Sequence, residues 1–293
     1  MAINVYRCLP RFEYFSPETV EEACSLLRKY GKEAKVVAGG TDLIPDMKRR
    51  KSLPRYLIGL KRIASLNGIT FDESKGLTIG TMVTLHSLID SAPVREKFSL
   101  ISSAALKIGT PQVRNMGTVG GNICNASPSA DLAPCLLALN ARLKLISTNG
   151  ERLIPINEFF VAPFKTGIDE GELLTEIQIS MPPPRSGGCY KWATKRTAVD
   201  ETLAGVAALI VLDTKDNICK DIRLGLGSVA PTPIRAFRAE ELLRGKKVED
   251  QLIKEVAVLA AKEAAPRSRA DYRRRMTEVL FVRAISETLK SIK

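Results

Sequence analysis

Two pairs of adjacent glycines place the strongest constraint on how this chain can fold. The first pair is Gly39 and Gly40, and the second, about eighty positions later, is Gly120 and Gly121. Each pair lies beside apolar, β-branched residues and leads toward a stretch that can be helical. Because glycine has no Cβ, backbone N–H groups at such turns can approach an anion closely. Two turns aimed at one point would hold a pyrophosphate from both sides, which suits a dinucleotide better than a single phosphate.

Length and composition predict a globular chain of two domains. The 293 residues can bury a full core, and 45% of them are hydrophobic. The longest apolar run, residues 203–212, is far shorter than the ~20 residues that a membrane helix needs. Residues 1–7 contain no apolar segment of the secretory kind. We therefore expect a cytoplasmic protein with no membrane span.

The six cysteines do not predict a metal centre. They stand at positions 8, 24, 124, 135, 189 and 219, and no two form a Cys-x-x-Cys pair. That spacing is a poor framework for zinc or an iron–sulfur cluster. We expect reduced thiols, most of them buried as small apolar side chains, and no bound metal.

The formal net charge of +12 has a simple explanation in a solvated surface. Basic residues concentrate locally at positions 48–51 and 267–275. These clusters leave two functional explanations open, which are docking onto acidic partner surfaces and attraction of an anionic cofactor. Nucleic acid is a weaker candidate, because aromatic residues make up only 5% of the chain and do not alternate with the basic clusters.

The pattern of elements before residue 180 predicts two α/β units. Ser16 as N-cap and Pro17 at the first helical position predict a helix over residues 17–30. Asp131 or Ser129 is expected to cap a short apolar helix. The remaining predicted elements are strands at 35–38, 56–60, 77–80, 142–146 and 177–180, and helices at 84–89, 99–108 and 132–139.

Residues 182–184 are consecutive prolines, which mark a boundary because they extend neither a helix nor a central strand. Beyond them, the pattern predicts a meander of strands at 188–196, 203–212 and 222–228, followed by helices at 250–264 and 270–290. The expected class is therefore α+β, with a sheet-and-helix domain behind two α/β subdomains.

Two features resemble functional motifs but are set aside. Residues 225–230 satisfy the Gly-x-Gly-x-x-Ala dinucleotide pattern, which requires a helix to begin there. Pro231 and Pro233 follow at once, so we interpret the segment as a strand that leaves into a turn. His86 is the only histidine, which excludes any mechanism that needs two, and a helix-surface role is expected for it.

Both glycine segments resemble the phosphate loops of the FAD-binding subunit of the molybdenum hydroxylases, a family that includes the medium subunit of carbon monoxide dehydrogenase. Residues 38–43 resemble the first loop, and residues 118–122 with the acid at 131 resemble the second. The likeness continues at residues 172–177, 190–192 and 270–273, so it covers nearly the whole chain. Members with an additional iron–sulfur cluster carry it on a long insertion after the second loop. Only nine positions separate Asn122 from Asp131, so no such cluster is expected here.

The resemblance implies a PCMH-type FAD-binding domain over residues 1–180, with subdomains at about 1–60 and 61–180. A carbon monoxide dehydrogenase flavoprotein-like C-terminal domain, an antiparallel sheet with helices, would occupy residues 185–293. FAD would be bound noncovalently, with no catalytic side chain and no metal ligand. The implied cofactor-binding residues are Val36, Val37, Ala38, Gly39, Gly40, Thr41, Asp42, Leu43, Ile108, Thr118, Val119, Gly120, Gly121, Asn122, Asp131, Leu174 and Lys191.

Several of these positions also have structural explanations. Asp131 is as readily explained by a helix N-cap as by a cofactor contact, and Ile108 and Leu174 would otherwise be assigned to the core. Asp42 would bind ribityl or ribose hydroxyls or backbone N–H groups rather than phosphate. Lys191 near a flavin would stabilise its anionic reduced form, although a surface lysine is the more common case.

The function implied by the resemblance is electron transfer within a larger enzyme. A large molybdopterin-containing subunit would oxidise the substrate, and a small subunit with [2Fe–2S] clusters would pass electrons to the FAD of this chain, in a dimer of heterotrimers. One alternative is an autonomous flavin oxidoreductase of the vanillyl-alcohol-oxidase-like fold. Another is a basic nucleotide-binding or RNA-binding module without redox activity, which would be colourless and would bind polyanions with steep salt dependence.

Overall fold

A computed structural model describes residues 8–196, 199–213 and 217–292. The expectation about a secretory signal concerns residues 1–7, which lie outside the described residues. The predicted α+β class is confirmed, with mixed helices and sheets followed by a sheet-and-helix domain at the C-terminal end. Three groups of buried apolar side chains form the core, and one of them includes residues of both the second and the third parts of the fold.

The first part is a small parallel sheet with strand order β1-β3-β2. Helix α1 covers it, and Ala23, Cys24 and Ile58 are completely buried in one apolar cluster. The first glycine pair lies between β2 and α2. The bounds are β1 Glu13–Phe15, α1 Val20–Tyr30, β2 Ala34–Val37, α2 Leu43–Lys48 and β3 Tyr56–Gly59, with a 3₁₀ turn at Gly31–Glu33.

The start of α1 differs from the prediction, which placed the N-cap at Ser16. The N-cap is Thr19, whose hydroxyl accepts the Glu22 N–H at 3.1 Å. The Glu22 carboxylate in turn accepts the Glu18 N–H at 2.9 Å. This reciprocal pairing satisfies two amide donors of the helix start, so it fixes the N-terminus three residues later than Pro17 alone suggests.

The second part is an antiparallel sheet of order β4-β5-β10-β6-β7, packed against short helices. Helix α7 contains the second glycine pair within its first turn. The strands are β4 Ile69–Asp72, β5 Gly76–Gly80, β6 Arg142–Ser147, β7 Gly150–Pro155, β8 Phe160–Ala162, β9 Lys165–Thr166 and β10 Leu173–Ile179. The helices are α3 Leu85–Asp90, α4 Ala92–Lys97, α5 Ser99–Lys107, α6 Pro111–Met116, α7 Val119–Cys124 and α8 Leu132–Ala138, with 3₁₀ turns at Ala64–Leu66 and Ile156–Glu158.

The third part is an antiparallel sheet of order β11-β12-β13-β14 with three helices. Every residue of β12 is buried, because α8 packs near one face of the sheet and α11 against the other. Such a strand reads as a continuous apolar run, as residues 203–212 do. The bounds are β11 Ser186–Ala193, β12 Ala204–Leu212, β13 Cys219–Gly227, β14 Ile234–Arg235, α9 Phe237–Leu243, α10 Asp250–Glu263 and α11 Ala270–Ser291.

The Gly-x-Gly-x-x-Ala segment lies in β13 and the turn after it, as expected, and no helix begins there. Its first glycine has a packing role. A Cβ on Gly225 would lie 1.9 Å from the carbonyl oxygen of Pro134 in α8. The missing side chain therefore lets the third part of the fold approach the second.

The cysteines are free thiols, and Cys8 is the exposed one. Burial raises the pKa of the Cys124 thiol to about 12 and, with the nearby carboxylates of Glu21 and Glu172, that of Cys24 to about 11. In the part of the chain that the structure covers, no helix is both long and apolar enough to cross a membrane. His86 lies on the surface of α3, with Nε2 3.2 Å from the Asp90 carboxylate.

Candidate functional site

The two glycine loops lie against each other. A Cβ on Gly39 would lie 1.9 Å from the Met116 carbonyl oxygen and 3.0 Å from the Gly117 Cα. On the other side of the contact, a Cβ on Gly121 would lie 3.8 Å from the Ala38 Cβ, and one on Gly117 3.6 Å from the Thr41 Oγ1. Only a residue without a side chain permits the first approach. The sequence-distant loops thus form one feature of the surface.

The first loop presents a row of unused backbone donors. From Gly39 to Leu43, no N–H group donates to an acceptor within residues 8–196, 199–213 and 217–292. Gly40 has a φ of 71°, a left-handed conformation that glycine adopts without strain. Asp42 stands at the N-cap position of α2 and its side chain makes no capping bond. Consecutive free amides at a helix start form an anion-binding concavity.

The second loop uses its amides internally, because the glycine pair lies in a helix rather than in an open turn. Gly120 donates to the Thr81 carbonyl oxygen at 2.9 Å, and Gly121 donates to the Thr118 Oγ1 at 3.0 Å. The amides of Val119 and Asn122 also have backbone acceptors. The second loop therefore contributes a closely packed, rigid surface beside the first loop rather than free N–H donors.

One side-chain atom beside this surface lacks a partner. The Oδ1 of Asn122 is buried and makes no hydrogen bond to any residue described. A buried amide oxygen without a donor is costly, so such an atom points to a missing hydrogen-bond donor. The hydroxyls and ring N–H groups of a dinucleotide are donors of this kind.

Comparison with known proteins identifies the family to which these loops belong. Residues 10–182 match the model of the FAD-binding domain in molybdopterin dehydrogenase, and residues 189–288 match that of the CO dehydrogenase flavoprotein C-terminal domain. The chain belongs to the FAD-binding medium subunits of the molybdenum hydroxylase family. It is an oxidoreductase subunit, and its N-terminal part is an FAD-binding domain.

Medium subunits from several enzymes are similar over nearly the whole chain. The carbon monoxide dehydrogenase medium chain of Afipia carboxidovorans is 36% identical, with 94% of this chain and 95% of that one covered. The xanthine dehydrogenase FAD-binding subunit of Escherichia coli O157:H7 is 32% identical over 94% and 95%. The solved carbon monoxide dehydrogenase from Hydrogenophaga pseudoflava, in a form lacking the Mo-pyranopterin moiety, superimposes with a TM-score of 0.93 at 34% identity, covering 98% and 100%.

The residues of the medium subunit fit FAD at the loop contact. The free amides of the first loop suit its diphosphate, and the unpaired Asn122 Oδ1 suits a donor on the cofactor. Val36 and Val37 end β2 and direct the chain into the loop. Thr118 caps α7 with its hydroxyl and holds the second loop in shape.

Ile108 and Leu174 lie at the same apolar core, as the structural explanation of these two positions requires. Leu174 is buried in it, and Ile108 is partly buried against it at the end of α5. The Arg114 Nη1 donates to the carbonyls of Ile108 and Gly109 at 3.0 and 2.9 Å, which holds Ile108 in place. Contact of these side chains with the flavin stays a prediction.

Lys191 is placed differently from the other predicted residues. Its ammonium forms an ion pair with Glu287 of α11, and this hydrogen bond is the main reason that the pKa of Glu287 is lowered. Side chains alternate along a strand, so the neighbouring Tyr190 lies on the opposite face of β11, toward the FAD-binding domain. Tyr190 is buried and stacks on Trp192, with ring centroids 5.4 Å apart. Contact of Lys191 with flavin remains a prediction.

Asp131 joins the two domains. It occupies the N-cap position of α8, but its carboxylate makes no capping bond. Instead Oδ1 accepts the hydroxyls of Tyr190 at 2.7 Å and Thr202 at 2.6 Å, and Oδ2 lies 3.7 Å from the Lys107 Nζ. Burial raises the pKa of the Asp131 carboxyl, against the opposing effects of Lys107 and the two hydroxyls. A cofactor contact of Asp131 stays a prediction beside this structural role.

Three residues of the site are not among the predicted cofactor-binding residues. Met116 forms the backbone contact with Gly39, and Tyr190 anchors Asp131. Thr81 accepts the Gly120 N–H and donates its own hydroxyl to the Leu174 carbonyl at 3.0 Å, so it connects the second loop to β10. Met116 and Thr81 act through backbone atoms or a single hydroxyl, which leave no pattern in sequence. The two aromatic residues at 190 and 192, two positions apart on a strand, were a usable signal.

Proposed function

We propose that this medium subunit transfers electrons from [2Fe–2S] clusters of a small partner subunit, through FAD, to an external acceptor. The observation that carries the proposal is the contact of the two glycine loops beside a row of free amides. FAD supplies the ability to accept electrons singly and deliver them in pairs. The task of the protein is to hold the FAD within electron-transfer distance of an iron–sulfur cluster.

The residues of this chain bind and orient FAD and take no part in proton transfer. The amides of residues 39–43 would bind the diphosphate, and Gly39 keeps the two loops close enough to share it. Ile108 and Leu174 would contact the flavin ring and exclude water from it. Asp42 and Asn122 would bind hydroxyls or ring groups of the cofactor.

The partners in this proposal are a large molybdopterin-containing subunit and a small [2Fe–2S] subunit, assembled as a dimer of heterotrimers in the cytoplasm. Similarity to proteins named as medium chains supports a multi-subunit assembly. The substrate would be oxidised on the large subunit, so this chain needs no substrate pocket of its own.

The test is the behaviour of the purified full chain, alone and in its complex. The expected spectrum is that of one FAD per chain, reducible by dithionite. Alone, the chain should show no steady-state turnover with carbon monoxide, xanthine or an aldehyde and an artificial acceptor. Co-expression with the products of neighbouring genes should yield a complex in which the substrate of the molybdenum-containing subunit reduces the flavin.

Two results would contradict the proposal. A well-folded chain that remains colourless after incubation with FAD would exclude the cofactor. Turnover of an organic donor by the isolated chain would favour an autonomous flavin oxidoreductase instead. Gly39→Ala, which should lose FAD, and Gly68→Ala, where a Cβ meets nothing within 4 Å, form a matched pair for assigning the flavin to the loops.

A further inference from the structure

The N-terminal end of α11 carries arginines that the proposed electron transfer does not use. Arg267 and Arg269 are exposed just before the helix, and Arg273 lies one turn inside it. Arg269 occupies the N-cap position, and no side chain caps the helix. The N–H groups of residues 270–272 donate to no acceptor in the part of the chain described. The 22-residue helix α11 therefore begins with free N–H donors that lie among positively charged arginine side chains.

Arg273 is anchored along only one edge of its guanidinium. Its Nη1 donates to the Leu203 carbonyl at 2.7 Å and also to the Ser228 carbonyl. Its Nε is buried and has no acceptor among the described residues. The edge formed by Nε and Nη2 is the one that binds two oxygens of an oxyanion side by side.

The surroundings of Arg273 favour an added negative charge. Burial lowers the pKa of Arg273, and repulsion from Arg269 and Arg267 lowers it further. The carboxylate of Glu201 acts in the opposite direction, and Asp271 is an exposed acid in the first turn. Even with these two acids, the arginines of residues 267–275 leave the helix end positive.

Ser228 supplies a second, independent indication of a ligand. It is 6% exposed, and its Oγ is buried without a hydrogen-bond partner in the described chain. Its carbonyl is the one that Arg273 holds, so the unpaired hydroxyl belongs to the same cluster. Its N–H donates to the Pro128 carbonyl at 2.8 Å, which fixes the residue against the FAD-binding domain.

We propose that the N-terminal end of α11, with Arg273 and Ser228 at its base, binds a phosphate or pyrophosphate group. The guanidinium edge matches two phosphate oxygens, and the helix amides and the serine hydroxyl donate to others. Arg267 and Arg269 add charge at the entrance. This site uses none of the residues of the flavin loops.

The test is calorimetric titration of the FAD-loaded full chain with pyrophosphate at physiological ionic strength. We expect one binding event per chain. The double substitution R267A/R269A should weaken it about tenfold, because two positive charges beside the bound anion are lost. The control R283A/K290A removes two exposed cations from the same helix and should change the affinity little. Ser228→Ala should weaken binding without a change in flavin content.

Three results would overturn the site. Absence of any heat with pyrophosphate would exclude it, and equal weakening in the two double variants would show attraction by diffuse charge. Binding to an acidic peptide but not to pyrophosphate, with the same dependence on Arg267 and Arg269, would assign the arginines to a protein interface. The flavin absorbance of each variant separates these results from a failure to bind FAD.

Discussion

At the scale of single residues, the candidate site depends on the absence of a Cβ at its glycines as much as on the atoms that are present. Gly39 permits contact with the Met116 carbonyl because it has no Cβ, and Gly120 fits against Thr81 for the same reason. Neither glycine needs to touch the ligand through a side chain. In the proposed FAD site, the groups that would bind the diphosphate are backbone amides of the first loop, which every residue type except proline carries.

Substitution of Gly39 by alanine should open the loop contact. The new Cβ would overlap the Met116 carbonyl at 1.9 Å, so one loop must move. We expect the free energy of unfolding to fall by about 1–3 kcal/mol. In proportion, the amount of bound FAD should fall by more than the free energy of unfolding does. Urea denaturation and the ratio of flavin to protein absorbance measure the two effects. Gly68→Ala should alter neither, and full FAD content in Gly39→Ala would contradict the prediction.

Thr118 should matter to the cofactor as well as to stability. Removal of its hydroxyl in Thr118→Ala leaves the Gly121 N–H without its acceptor and costs about 1 kcal/mol. The control is Thr84→Ala, which removes the equivalent cap of α3. Both should lower the melting temperature, but FAD affinity, measured by fluorescence titration, should fall only in Thr118→Ala. Equal effects on FAD affinity would show that the cap of α7 has no special place in the site.

At the scale of elements, helix ends rather than helix bodies build the site. The start of α2 provides the free amides, the start of α7 the rigid surface, and the end of α5 positions Ile108. Asp131 at the start of α8 is tied to Tyr190 of β11, so an element of one domain is held by a strand of the other. Helix ends serve this purpose because their N–H and C=O groups have no partners within the helix.

Asp131→Asn tests this connection between elements. Asparagine keeps an acceptor for the hydroxyls of Tyr190 and Thr202, but it leaves the buried Lys107 ammonium without a counter-charge. We expect a loss of about 1–3 kcal/mol in the free energy of unfolding, measured with urea. Thr202→Ala removes only one of the hydroxyls and should cost less. An Asp131→Asn variant as stable as the parent would show that the Lys107 pair has no net value.

At the scale of the whole molecule, one of the core clusters includes residues of both domains. Tyr190, Ala207 and Leu209 of the C-terminal sheet belong to the same buried cluster as the helices of the second subdomain. The contact of Gly225 with Pro134 brings β13 directly onto α8. The C-terminal domain therefore packs directly against the FAD-binding domain rather than being attached by a flexible linker.

Gly225→Ala should destabilise both domains together. Its Cβ would lie 1.9 Å from the Pro134 carbonyl, so α8 and β13 must separate. We expect a single unfolding transition at lower temperature, with a cost of about 1–3 kcal/mol, because the shared core couples the domains. Differential scanning calorimetry measures it. Two separated transitions in the parent protein would show that the domains unfold independently.

Local sequence pattern predicted the bounds of many elements to within a few residues. The errors arose where hydrogen bonds at the start of an element moved that start along the chain. Helices α10 and α11 match their predicted bounds to within one residue at each end. The start of α1 was wrong because the Thr19–Glu22 pairing outweighed the proline signal. Strand β13 begins three residues before its prediction, since its pairing with β12 extends the ladder to Cys219.

The sequence by itself determined the class of fold, the order of the domains and the two glycine loops, because each of these depends on residue type and short-range spacing. Only the tertiary structure decided that Gly39 meets Met116, that the free amides belong to the first loop, and that Asp131 and Lys191 have partners in the C-terminal domain. These contacts join residues far apart in the chain, and many involve backbone atoms that every residue shares. Such contacts are settled by how the elements pack, which local sequence does not encode.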